Sequence, residues 1–235
     1  MKRALMLAAA LTGLTVFSGA AMAQQYAILD MIGYLYESDN NAAVQGFPPS
    51  DPGDVLAGLG FIDGVNQPLT WSTDDYEYTW VLDGLVSTGA IDLGGGRFRV
   101  SYTGGTIDIV ADEFMGAGYT HGDYGIDPPQ AAAINTFSNG IVYLQGAFTY
   151  FVMTFDTNLH VGNFEGHIVF ELGPYAGPFE ELANPNGLTI AGVIDIVGDA
   201  TIPDGYDLEA DGHIYVDPTV PTETASWGGI KNLYR

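Results

Sequence analysis

The stretch Arg97–Ala111, RFRVSYTGGTIDIVA, decides how this chain is read. Apolar and polar residues alternate through Phe98–Thr103 and again through Thr106–Ala111, the period of a half-buried strand. Between them stand Gly104 and Gly105, a pair that reads as a two-residue hairpin turn. In that register Phe98, Val100, Tyr102, Ile107 and Ile109 share one apolar face. Arg97, Arg99, Ser101, Asp108 and Asp112 share the other, with Arg97 opposite Asp112. Such a face is expected to be a charge-matched solvent surface, each cross-strand pair contributing about 0.2–1 kcal/mol.

The same texture extends in both directions. Tyr26–Glu37 is an apolar, aromatic run and a first strand. Gly46–Pro68 reads as a long loop, with Asp51-Pro52 opening one helical turn over Asp54–Leu59. Tyr76, Tyr78, Trp80 and Leu82 alternate with Glu77, Thr79 and Val81, and Gly94-Gly95-Gly96 is a turn between strands. Asn139-Gly140 leads into a strand from Ile141 to Phe155, broken or bent at Gly146. Gly162-Asn163 reads as a second hairpin turn before Phe164–Leu172, and Leu188–Val197 is a further strand. Asp211-Gly212, between Tyr206–Ala210 and His213–Val216, reads as a third hairpin. The expected fold is all-β: an antiparallel β-sandwich or jelly roll, with a closed β-barrel as the alternative. An outer-membrane barrel also gives aromatic alternating strands. The uneven strand lengths and long Pro-containing loops place it behind.

Residues 1–23 have a basic start at Lys2 and Arg3, an apolar stretch without charge, and Ala21-Met22-Ala23 before Gln24. That is the pattern of a cleaved secretory signal peptide. The expected organisation is signal peptide 1–23, all-β domain 24–216, Pro/Thr linker 217–226 and an aromatic and basic tail 227–235. The protein is then exported, to be extracellular, at the cell surface or periplasmic, and the mature chain has no apolar run long enough to be a transmembrane segment.

The 235 residues carry 29 acidic and 6 basic side chains, a net charge of −23, and removal of Lys2 and Arg3 takes it to −25. Nucleic acid would be repelled by such a surface, so no nucleic-acid partner is expected. No cysteine is present, which excludes disulfides and thiolate chemistry. No HExxH, GxSxG, P-loop or dinucleotide fingerprint occurs, and the four histidines have no metal-site spacing. Among so many acids, a pair fit for glycoside cleavage carries no weight as a sign of an enzyme.

Calcium is the one cofactor the composition invites, since hard cations take six to eight oxygens. Two clusters could supply them. One is Asp112, Glu113, Asp123 and Asp127 in a glycine-rich loop. The other is Asp204, Asp207, Glu209 and Asp211, which partly echoes an EF-type loop but has Pro218 at its closing position. A hairpin at Asp211-Gly212 explains the same residues more simply. Trp71, Tyr76 and Tyr78 are candidate ligand-binding aromatics, with core packing as the plainer reading.

The tail Trp227–Arg235, WGGIKNLYR, holds the lysine of the mature chain. Trp227, Ile230, Lys231, Tyr234 and Arg235 are candidate recognition residues for sorting machinery or a surface partner; a frayed terminus or an extra edge strand is the alternative. Here, and in the texture of Glu77–Gly105 (EYTWVLDGLVSTGAIDLGGGRFRVSYTGG), the chain resembles secreted bacterial β-sandwich proteins of the PEP-CTERM type, which join an exported ectodomain to a short C-terminal sorting tail. It departs from them where Val220-Pro221 lacks the following Pro-Glu-Pro signature, membrane helix and arginine cluster. The expected function is a non-enzymatic extracellular or surface-associated matrix, adhesion or assembly component. A glycan- or ligand-binding module is the alternative, and a polysaccharide-acting enzyme stands further behind.

Overall fold

Alternation of burial along each segment sets the architecture. In the computed structural model, which describes residues 26–38, 50–67, 69–113, 136–172, 187–196, 202–203 and 205–216, eight strands form. They are β1 Tyr26–Ser38, β2 Val55–Val65, β3 Tyr76–Gly94, β4 Arg97–Glu113, β5 Ile141–Asp156, β6 Val161–Leu172, β7 Leu188–Ile196 and β8 Leu208–Val216. Each pairs antiparallel with its sequence neighbour, and β8 pairs back onto β1. The sheet is therefore a closed up-and-down barrel, with no open edge left to template pairing with another chain. The all-β antiparallel expectation is met in its closed-barrel form; one continuous sheet wraps a single core where a sandwich would pack two sheets.

An eight-stranded barrel has an interior just wide enough to be filled by side chains. Here Trp80, Leu82, Tyr102, Ile107, Phe151, Phe164, Ile190 and Ile214 are among those that fill it. The fit depends on glycine. A Cβ on Gly33 would stand 2.5 Å from the Trp80 ring, and one on Gly60 would stand 2.6 Å from its Nε1. The Trp80 indole thus lies on a glycine floor across β1 and β2, and its N–H donates to the Ile32 carbonyl at 3.2 Å. Phe164 lies in the same way over Gly192 and Gly212. Part of the high glycine content is therefore interior floor for large aromatic rings.

Three hairpin expectations are corrected. β4 runs unbroken through Gly104-Gly105, and Gly104 pairs with Leu85 of β3 while Thr106 pairs with Asp83 and Ala147. Gly105 (φ 83°) lies across from Gly84 (φ 75°), so this is a bend in two long strands, in a left-handed conformation that glycine alone adopts freely. Arg97 consequently pairs with Gly94 and Asp156, and Asp112 pairs with Glu77. Gly162-Asn163 lies within β6, the turn being Thr157–His160. Asp211-Gly212 lies within β8, where Gly212 makes room for Phe164. The helical turn over Asp54–Leu59 is also replaced, because all of it after Asp54 belongs to β2. Gly94-Gly95-Gly96 is the β3–β4 turn, as expected. Gly146 sits at a register shift between β5 and β6, without breaking β5.

The barrel is apolar inside, and its outer face mixes acids with exposed apolar side chains such as Ile32, Ile91, Ile141, Val161 and Val193. The outward face bears Asp83, Glu165, Asp195, Asp211 and the hydrogen-bonded pair Asp30 and His213, 2.7 Å apart. A membrane-spanning barrel carries polar groups within, where this interior is apolar. No helix among the described residues is long and apolar enough to cross a membrane. A second apolar cluster covers part of the outer wall. Phe137 and Tyr206 pack there on Leu59 and Val81, flanked by Tyr34, Tyr36 and Phe61. Residues 1–25, the linker and the tail lie outside the described residues, and the barrel falls within the unit Gln25–Thr219.

Candidate functional site

The two ends of the barrel differ chemically. One gathers the start of β1, the end of β2 and the starts of β3 and β5; the other gathers the end of β1, the start of β2 and the start of β8.

At the second end a polar cluster sits against the apolar core. Glu37, near the end of β1, accepts a hydrogen bond of 2.6 Å from the Tyr102 hydroxyl of β4. Its backbone N–H donates to Asp207 Oδ2 at 2.8 Å, while the Asp207 N–H donates to the Leu35 carbonyl at 2.9 Å. The segment 50–54 folds over this end as a strap. Gly53 N–H donates to the Ser87 carbonyl, Ser87 N–H to the Asp54 carbonyl, and Ala90 N–H to the Ser50 carbonyl. It seats at the register shift that β3 makes between Ser87 and Ala90. The Ser50 and Ser87 hydroxyls lie 2.6 Å apart, and both side chains are buried, as is Asp54.

Burial dominates the electrostatics of this cluster. It pushes the Glu37 carboxyl up to about 7, against the hydrogen bonds from Ser50 and Tyr102, with the Asp54 and Asp207 charges adding to the rise. Asp207 is raised by burial, partly offset by the Glu37 N–H. Tyr102 is held well above its ordinary value, first by burial and then by the Glu37 charge. Glu37 is therefore a carboxylic acid that changes charge near neutrality, a property tied to functional sites often enough to mark a candidate.

The opposite end is aromatic. Trp71 stacks on Tyr78 with centroids 5.1 Å apart and meets Tyr143 edge-on at 5.4 Å. Tyr76 lies 5.9 Å from Tyr143, and the Tyr78 hydroxyl donates to the Ser72 carbonyl at 3.3 Å. The candidate residues Trp71, Tyr76 and Tyr78 thus do come together, with Tyr143 as a fourth member. Tyr78 and Tyr143 are buried, so the rings largely spend their faces on one another.

The acidic candidates are placed differently. Glu209 and Asp211 alternate along the outer side of β8, about 7 Å apart at strand spacing, so they do not converge as loop ligands would. Asp207 turns to Glu37 instead, and Asp204 lies outside the described residues. Asp112 and Glu113 close β4, while their expected partners Asp123 and Asp127 lie outside the described residues. Among the described residues, no three acidic or histidine side chains are grouped to hold a metal ion. The tail residues Trp227, Ile230, Lys231, Tyr234 and Arg235 are outside them too.

Sequence reading missed Glu37, Ser50, Asp54, Ser87 and Tyr102 as a group. The one local signal was Glu37 itself, a charge closing the apolar run of β1. Its partner Tyr102 lies 65 residues away.

No protein-family model, no curated protein and no solved structure matches this chain.

Proposed function

We propose that the chain is an exported, non-enzymatic β-barrel working outside the cytoplasm as a matrix, adhesion or assembly component, engaging partners from its outer surface and termini. The observation that carries this reading is the filled interior. The barrel cavity measures about 20 Å³ and is lined by apolar groups that include Met31, Leu35, Trp80, Leu82, Phe151 and Phe164. A ligand pocket needs several hundred cubic ångströms. A barrel packed this way is a rigid body rather than a carrier. Its acidic composition suits a basic partner or a cation-rich medium, and the resemblance to exported ectodomains with sorting tails points the same way.

The test is fractionation of the native producer, with the barrel followed by antibody and its N-terminus by mass spectrometry. Recovery outside the cytoplasm with Gln24 first supports the proposal. Recovery in the cytosol, or co-purification of a stoichiometric small apolar ligand, overturns it.

A further inference from the structure

We propose that the strap Ser50–Asp54 is a proton-operated latch on the barrel end, seated while Glu37 is protonated and lifted when Glu37, Asp54 and Asp207 all carry charge. Glu37 is the point where separate segments meet. Tyr102 reaches it from β4, Ser50 and Asp54 approach from the strap, and Asp207 closes on it from the start of β8. Leu56 of β2 pairs with it in the sheet and brings no charge. Among the described residues, every charged group that acts on Glu37 is therefore an acid. The described cations, Arg97 and Arg99, stand on the exposed side of β4, paired in register with Asp156 and Thr154.

The strap is the part able to respond. Glu37 and Tyr102 belong to strands bonded on both sides, and Asp207 adjoins β8. The strap lies outside the barrel ladder and is held to β3 by three backbone bonds at a register shift. It also carries Asp54, a buried carboxylate held close to Glu37 and further engaged by the Asp51 N–H at 2.9 Å. Three like charges gathered under a short cover repel one another in a low-dielectric place. The elevated Glu37 sets the range near neutrality in which this happens. Opening would uncover the Glu37 end of the core and part the Ser50 and Ser87 hydroxyls.

The experiment is hydrogen exchange on the full mature chain between pH 5.5 and 8.5, read as protection factors corrected for intrinsic exchange. The amides of Gly53, Ser87 and Ala90 report the strap; those of Val81 and Leu82, in the β3 ladder, report the barrel. Strap protection is expected to fall at least tenfold through pH 7 and to stay well below that of the ladder, whose amides lose only what global stability loses. Glu37→Gln, which keeps an acceptor for Tyr102, should hold the strap closed across the range. Asp54→Asn takes away one of the three charges and with it part of the rise on Glu37, so the fall in strap protection should shrink and shift to lower pH; it tests the latch independently should the first variant fold poorly. Strap protection independent of pH, strap amides that exchange no faster than the ladder at pH 8.5, or an unchanged midpoint in Asp54→Asn would each overturn the latch.

Discussion

The Tyr102 hydroxyl of β4 donates to the Glu37 carboxyl of β1 at 2.6 Å, joining residues on strands that are not neighbours in the sheet. The bond crosses the barrel end and places a titrating acid against the core. Its first consequence is a dependence of stability on pH. The folded Glu37 holds its proton to about 7, against 4.5 for the free side chain. Between those values the folded state binds more protons than the unfolded one, so its stabilisation is full below pH 4.5 and is lost as pH rises through 7. At about 1.4 kcal/mol per unit, the loss amounts to roughly 3 kcal/mol. Urea unfolding at pH 5, 6, 7 and 8 should show that decline, and Glu37→Gln should remove most of it. Parallel curves for the two proteins would refute the assignment.

Tyr102→Phe removes the donor while keeping the ring that packs edge-on against Phe151, centroids 5.9 Å apart. The hydroxyl stabilises the charged form of Glu37. The substitution should therefore cost more at pH 8 than at pH 5. A hydrogen bond to a charged group is worth about 1.5–3 kcal/mol, and one to a neutral group about 1 kcal/mol. Chemical denaturation at the two pH values gives the comparison.

Gly212→Ala tests the glycine floor. The new methyl would stand 2.5 Å from Phe164 Cζ, inside a filled core. Overpacking of this kind costs about 1–3 kcal/mol. Phe164→Leu in the same chain removes the opposing ring tip, so the double variant should lose less than the sum of the two single losses. Additive losses in thermal unfolding would show that the ring does not set the cost.

At the aromatic end, burial separates two roles. Tyr143 is buried among Trp71, Tyr76 and Tyr78. Tyr143→Ala should lower stability by about 3–5 kcal/mol, the range for removing a large buried aromatic side chain. Trp71, half-buried, should cost less when cut to alanine. A Trp71→Ala variant of unchanged stability that loses binding to an oligosaccharide array would instead make this end a ligand platform.

The sequence by itself determined the all-β class, because a period of two along Phe98–Thr103 or Tyr76–Leu82 fits only a strand with one buried face. It also determined that Val100, Tyr102, Ile107 and Ile109 face one way, and that Trp71, Tyr76 and Tyr78 are the aromatic residues to watch. Periodicity fixes the face of a residue but not its cross-strand partner. A glycine pair such as Gly104-Gly105 satisfies a tight turn and a bent strand equally well. Only tertiary pairing with Leu85 and Ala147's strand shows the second. Asp211-Gly212 is likewise a strand segment because Phe164, from β6, needs the space above Gly212. Closure of β8 onto β1, and the meeting of Glu37 with Tyr102, Asp54 and Asp207, belong to the structure alone. Such contacts join residues far apart in the chain, and no local pattern records the low-dielectric surroundings that lift an ordinary glutamate to neutrality.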